Sequence, residues 1–435
     1  MIEIIGRFSS SAYPDRMNFP AQRWGRQVWK NLARFALTAT LPAAAGAAQA
    51  EEAAASSDAI EITPLIDARL RYEHVDQSAL EADALTVRLR AGAQAAAGGF
   101  SLLIEGEATG AVINDYNAFP FALADRQRRP QFSVVADPAN VELNRLQLQY
   151  ASGDTRLTLG RQRINLDDER WVGSVGWRQN EQTFDALRGE AAAGPVSFDL
   201  IYAVDQRTIF GSEAGPRSSL DGDFVFAAAA ASAGPVAGKL FAYLIDYDEG
   251  FFLANSSQTY GGIVSASLPL GEEITVSFRA SYARQSDLGG NPFDYAADYW
   301  SFEGRSSLAG FSIAAGWEEL GSDNGRAVQT PLATLHKFNG WADMFLTTPP
   351  AGLQDGWVSV GRSIDGVRLL PGLNANIAFH QYDSAVGDIE YGTEWNASLG
   401  FRIGPVGLLA KYADYNAAGF GVDTRKFWLQ AAWAF

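Results

Sequence analysis

Hydrophobic and polar positions alternate with period two along most of the chain. In Ile66-Asp67-Ala68-Arg69-Leu70-Arg71-Tyr72 the even positions are apolar or small and the odd ones are charged. Val87, Leu89 and Ala91 alternate with Arg88 and Arg90, and Val196, Phe198, Leu200, Tyr202 and Val204 oppose Ser197, Asp199 and Asp205. Near the C-terminus Trp395, Ala397, Leu399, Phe401 and Ile403 alternate with Glu394, Asn396, Ser398 and Arg402. A helix, with its period of 3.6, cannot sort these residues onto two faces, whereas a strand does so automatically.

The connections alternate as well. Short Gly-, Ala- and Pro-rich turns fall near 91–100, 151–154, 191–195, 231–238, 267–273, 306–310, 369–373 and 404–407. Between them run longer polar loops near 75–83, 114–140, 164–182, 206–222, 248–258, 286–297, 321–356, 384–392 and 416–423. Eight short turns make sixteen strands, and a first strand at 62–74 with a last one at 424–435 brings the total to eighteen. Short turns on one side, long loops on the other and an even strand count describe an all-β chain: an antiparallel transmembrane β-barrel with periplasmic turns and extracellular loops. Loop 321–356 is then expected outside the cell or folded into the mouth, with Gly340 reachable from the exterior. A secreted all-β protein such as a β-helix would not alternate short and long connections.

The first fifty residues read differently. Arg23, Arg26, Lys30 and Arg34 precede the apolar run 35–41, and the segment closes on Ala48-Gln49-Ala50, the small-x-small pattern of a cleaved signal peptide. A spanning helix needs about 20 apolar residues, and this run is shorter. The organisation expected is a signal peptide at 1–50, with Met17 an alternative start, a short periplasmic segment at 51–61 and a barrel over 62–435. Segment 51–61 is too short for the plug domain of a gated receptor. Phe427, Leu429, Ala431, Trp433 and Phe435 share one parity, and this alternating aromatic strand ending on Phe resembles the signal read by the barrel-assembly machinery.

Composition narrows the chemistry. Across 435 residues there is no Cys, which removes disulfides, thiolate zinc sites and iron–sulfur clusters. The net charge is −16, and without residues 1–50 it becomes 28 basic against 48 acidic residues, a net of −20. Nucleic acid is excluded as a partner on that ground. Outer-membrane lipid and an anionic polysaccharide or small polar solute are the partners expected, and no cofactor is called for.

Of the 24 Arg beyond residue 50, fifteen fall within 51–210. Arg69, Arg71, Arg88, Arg90, Arg145 and Arg156 take the polar parity of their strands, where rings of Arg favour anions. They can equally pair with lumen acids (Asp67, Glu73, Glu105, Glu107, Asp185) and stiffen the wall. Both readings stand at this point. A barrel hydrolase would need a Ser–His pair on the outer side. His380 shares the inward parity of Asn374 and Asn376, His336 lies in loop 321–356, His74 ends the first strand, and no GxSxG accompanies them. Asp167-Asp168-Glu169 is a weak candidate for Ca²⁺ through hard oxygen ligands.

Residues 159–188 read LGRQRINLDDERWVGSVGWRQNEQTFDALR. This stretch, chiefly Leu159-Gly160-Arg161-Gln162 and Thr183-Phe184-Asp185-Ala186-Leu187-Arg188, resembles the alginate-export family of outer-membrane barrels. The resemblance implies a channel whose electropositive lumen conducts a polyuronate, and it marks Arg161, Arg163, Asp185 and Arg188 as constriction candidates. Arg161 shares the parity of Leu157 and Leu159, so it reaches the lumen only if the strand kinks near Gly160. The alternatives are a small-solute uptake porin and, in another class, an outer-membrane barrel enzyme.

Overall fold

A computed structural model describes residues 60–434 apart from 272, 273 and 365. The signal peptide read at 1–50, the segment 51–59 and the terminal Phe435 lie outside the described residues.

The chain is almost entirely strand. The first quarter holds β1 (Glu61–Gln77), β2 (Leu80–Ala97), β3 (Phe100–Asp115), β4 (Asn140–Ser152) and β5 (Thr155–Gln162). There follow β6 (Thr183–Ala193), β7 (Val196–Arg207), β8 (Ser219–Ala233), β9 (Val236–Tyr247) and β10 (Ser257–Pro269). The third group is β11 (Ile274–Asp287), β12 (Ala296–Leu308), β13 (Phe311–Leu320) and a two-residue hairpin, β14 (Ser322–Asp323) with β15 (Arg326–Ala327). The last are β16 (Leu353–Ile364), β17 (Leu373–Asp383), β18 (Glu390–Ile403), β19 (Val406–Ala417) and β20 (Thr424–Ala434).

Leaving aside β14 and β15, each strand pairs antiparallel with its neighbour in the chain, and β20 closes on β1 from Asp67↔Ala434 to Gln77↔Thr424. Eighteen strands therefore form one closed sheet. All eight short turns fall where the alternation places them. Three share one recipe: Gly194-Pro195, Gly234-Pro235 and Gly404-Pro405, with the Gly at φ of 62°, 58° and 55°. A type II′ hairpin needs that positive φ at its first central residue, and only glycine takes it without cost.

The two faces separate as the period of two requires. Leu70, Val87, Leu89, Leu102, Ile104, Phe198 and Leu200 are exposed on the outside, where they meet lipid, while Arg71, Arg88 and Glu105 are buried inside. One loop departs from expectation. The stretch read as loop 75–83 is only the turn Ser78-Ala79, with Ser78 at φ 56°, because β1 and β2 stay paired out to Gln77↔Leu80. The outward face of this protruding ladder carries His74, Asp76, Glu81 and Asp83, so it reads as a loop.

The lumen is not empty. Loop 163–182 brings Ile164, Leu166, Trp171 and Val172 against an apolar inner wall of Phe184, Ile201, Phe224, Phe226, Phe241 and Tyr243. Loop 321–352 folds in beside it, with Val172 bridging Leu332 in parallel and the Gly173 amide donating to the Leu332 carbonyl at 2.9 Å. Gly340, expected to be reachable from outside, is instead packed against Tyr382 and Glu394 inside the barrel. A third loop, 116–139, packs Tyr116, Phe119 and Val135 on Val75, Ala82 and Ala84.

The topology gives a direct test. An epitope placed at Gly250, in an exposed outer loop, should be labelled on intact cells, and one at Gly153, in a short turn, only after permeabilisation. The reverse pattern would overturn the orientation.

Candidate functional site

The inner wall is divided by chemistry. From β6 to β10 it is apolar and covered by loop 163–182; from β1 to β4 and again at β19 and β20 it carries cations. Arg69 and Arg88 lie directly opposite each other across β1 and β2, so the two like charges need separate partners. Arg88 pairs with Asp67, while Arg69 Nη1 donates to the carbonyls of Gly176, Trp177 and Arg178 at 3.0–3.1 Å. Three backbone carbonyls on one guanidinium pin loop 163–182 to the barrel wall.

The other lumen arginines are also engaged. Arg71 donates to Gln430 and lies 3.9 Å over the Trp177 ring. Arg90 pairs with Glu107 and with Glu181 at 3.0 Å. Arg145 forks onto Glu105 at 2.6 and 2.9 Å, and Arg163 reaches Glu181 at 2.5 Å. On the periplasmic side Arg188 forks onto Asp199 and Arg156 lies 3.6 Å from Glu190. A charge removed from water needs such partners, because desolvation costs several kcal/mol per ion.

Two sequence expectations are corrected. Arg161 faces the same side as Leu146, its register partner on β4 and a lipid-facing residue, and forks onto Asp185 at 2.8 Å. Gly160 does take a positive φ of 114°, yet Arg161 and Asp185 stay off the lumen parity held by Thr158 and Gln162. The acids proposed for Ca²⁺ do not converge. Asp167 pairs with Lys239 at 2.9 Å, Asp168 with Arg279 at 3.2 Å and Glu169 with Lys337 at 3.7 Å, each on a different element. Asp167 and Glu169 have positive φ, which fans the three side chains apart.

The groups that tie the loops together escaped the sequence reading. Arg178 reaches Glu73 at 3.1 Å, Asp343 at 3.0 Å and Asp137 at 3.8 Å, joining β1, loop 321–352 and loop 116–139. Arg170 pairs with Glu318 at 2.8 Å. Burial would strip the charge from Arg178, but Glu73, Asp137 and Asp343 outweigh it and hold the guanidinium above its ordinary value. The one local signal was that both arginines flank the Trp171 and Trp177 pair inside the recognised stretch.

Between these loops lies a vestibule, a cavity of about 540 Å³. Arg178, Arg217, Lys426 and His336 line it with a single carboxylate, Asp343, among Phe121, Phe210, Phe252 and several Thr and Gln. Arg217 lies 4.8 Å from the Phe121 ring and 4.6 Å from Phe251, and no carboxylate among the described residues pairs with it. The three histidines bond to Asp83, Asp343 and Asp355, at 3.0, 2.7 and 2.9 Å.

Removing the Arg178 hub should be costly. Arg178→Met leaves Glu73, Asp137 and Asp343 buried without it and is expected to lower stability by about 3–5 kcal/mol. Urea titration in detergent micelles reads this, and a change below about 1 kcal/mol would refute the hub.

Loop docking should also depend on pH. His336 is held well below the ordinary imidazole value by burial and by Lys411 beside it. An undocked loop takes a proton that the docked one refuses, so docking weakens as pH falls below about 6.5. Burial would raise Asp343, but Lys426, His336 and Arg178 overcome it and hold the carboxyl well below its usual range. Its stabilisation is therefore present above about pH 3.9 and lost only at lower pH. Between those limits Asp343 contributes no change, so of this pair only His336 titrates. Amide exchange over 330–345, corrected for intrinsic rate, should show less protection at pH 5 than at pH 7, and equal protection would contradict this.

Solved structures share the architecture. A crystal structure of OccAB4 from Acinetobacter baumannii superposes with a TM-score of 0.69 at 11% identity, covering 88% of this chain and 100% of that one. OpdK from Pseudomonas aeruginosa, solved with vanillate, gives 0.66 at 12% identity over 86% and 98%. OccK8 (OprE) from the same organism gives 0.64 at 15% over 86% and 98%. At such identities the likeness is one of fold. No curated protein matches the chain. Residues 66–226, from β1 into β8, match the family model described as alginate export. With eighteen strands closed on themselves behind a lipid-facing wall, the chain is an outer-membrane β-barrel whose residues 66–226 are similar to the alginate-export family.

Proposed function

We propose that this porin admits small anionic solutes from outside, rather than exporting a polyuronate chain. The observation that carries the reading is the vestibule: Arg217 lines it with no carboxylate partner among the described residues, beside Arg178 and Lys426, which Glu73, Asp137 and Asp343 answer, in a chain that is otherwise acidic. Cations on a low-dielectric wall attract anions more strongly than they would in open water. The cavity volume falls within the range that encloses small molecules.

The packing of the lumen supports the same reading. Loops 163–182 and 321–352 are tied to each other and to the wall, and both occupy lumen that a polysaccharide strand would have to thread. OpdK, similar in fold, has been solved with vanillate, itself a small carboxylate. The arginines named from sequence then act in two ways. Arg69, Arg71, Arg88, Arg90, Arg145, Arg156, Arg163 and Arg188 border the passage while their partners absorb most of their charge, and Arg217 supplies net field.

Reversal potentials in a salt gradient separate these roles. Arg217→Gln should lower the anion-to-cation permeability ratio about two-fold at low salt and leave stability unchanged, since no acid is orphaned. Arg88→Gln with Arg90→Gln frees Asp67 and Glu107, so it should reduce anion preference and loosen the barrel together. Liposomes carrying the porin should swell faster in a small monocarboxylate than in a neutral solute of equal size. Cation selectivity in the unaltered protein would sink the proposal.

A further inference from the structure

The Lys411 ammonium sits among three tryptophans. Its Nζ lies 4.0 Å from the Trp177 ring, 3.8 Å from Trp341 and 5.4 Å from Trp428. These come from three parts of the chain: loop 163–182, loop 321–352 and β20. The fourth neighbour is His336, whose Nε2 accepts from Nζ at 2.8 Å while its ring stacks on Trp177 at 4.3 Å and an interplanar angle of 6°. His336 Nδ1 lies 2.7 Å from Asp343, which places the ring proton there and leaves Nε2 free to accept.

Lys411 is nearly fully buried, and no carboxylate among the described residues lies within ion-pair distance of it. The neighbouring Lys426 on β20, by contrast, pairs directly with Asp343 at 2.8 Å. A buried ammonium without an acid is costly unless something else solvates it. Here the negative faces of the indoles and one imidazole nitrogen do so, the arrangement by which aromatic cages hold cations.

The energy that solvates the charge therefore depends on where the loops sit. Trp177 and Trp341 reach Nζ only when both loops are folded into the lumen. Withdrawal of either loop would break its own cation–π contact and open the shared ammonium to the other, so the contacts favour both loops docked and couple the two.

We propose that Lys411 is a positioning residue, a cationic latch in a tryptophan cage that holds both lumen loops in the conducting arrangement. The role is separate from selectivity, because the charge is enclosed and does not face the vestibule. It holds whichever solute passes.

Single-channel recording of the full chain in planar bilayers tests it, with folding confirmed by the altered gel mobility of unheated barrel. Lys411→Met keeps much of the volume and removes the charge, and the time spent in loop-displaced conductance states should rise about ten-fold, a loss of about 1.4 kcal/mol. Lys411→Arg keeps a cation that stacks on indole and should remain close to the unaltered channel. If Lys411→Met does not fold, Trp341 carries the test: Trp341→Leu should reproduce the unstable current and Trp341→Phe should largely restore it. Steady currents with Lys411→Met would mean that the side chain only fills space, and the latch would be rejected. Steady currents with Trp341→Leu would reject it equally. Neither outcome alters ion selectivity, so failure here is distinct from failure of the uptake reading.

Discussion

Hydrocarbon offers no partner to a backbone N–H or C=O, and the rest of this molecule follows from that. A strand in lipid must be paired on both edges, so the sheet has to close, and β20 returns to β1 through the register Asp67↔Ala434. Closure with period-two strands produces an apolar outside and a separate inside, which lipid does not constrain. The inside can then be assigned to function, and here it is assigned unevenly.

That unevenness explains where the loops go. The inner face of β6 to β10 carries Phe184, Ile201, Phe224, Phe226, Phe241 and Tyr243, which in an open aqueous pore would be exposed to water. Loop 163–182 covers them with Ile164, Leu166, Trp171 and Val172 and is drawn in by burial of apolar area. Burial alone has no direction, so it does not choose one docked position. The charged half of the wall does: Arg69 takes three consecutive carbonyls, and Arg178 takes Glu73 from β1 and Asp343 from the second loop. Apolar attraction brings the loop to the wall, and charge-assisted hydrogen bonds fix its register.

Much of this wall was legible in the sequence because lipid imposes a local rule. Each residue declares its face by parity, and each periplasmic turn declares itself by Gly and Pro, so eight turns and eighteen strands could be placed without tertiary information. The rule fails where lipid stops. Above the membrane the outward face of β1 and β2 turns polar with His74, Asp76, Glu81 and Asp83, and the Ser78-Ala79 turn was hidden inside what read as a long loop. It fails again in the lumen, where partners are distant in sequence. Arg178 and Asp343 are separated by 165 positions and Trp177 and Lys411 by many more, and no local pattern links them. The lumen arginines were found by parity, but their counter-ions were found only by the fold. Arg161 shows the limit in a single residue: its parity was legible and right, and the family resemblance that assigned it to the lumen was not.

The acidic balance of the chain and its cationic vestibule are compatible for the same physical reason. A charge is felt over about 8 Å at physiological salt, so the field at the mouth is set by the few side chains lining it and not by the sum over the molecule. Most lumen acids are already spent on arginines: Asp67 on Arg88, Glu73 on Arg178, Glu105 on Arg145, Glu107 on Arg90. What a solute meets is the remainder. In the vestibule that remainder is positive because Arg178 and Lys426 are met by Glu73, Asp137 and Asp343, while Arg217, held between Phe121 and Phe251, is left unanswered. The ion pairs that pack the loops cancel their own charges, so the one cation left outside them, Arg217, sets the field of the vestibule.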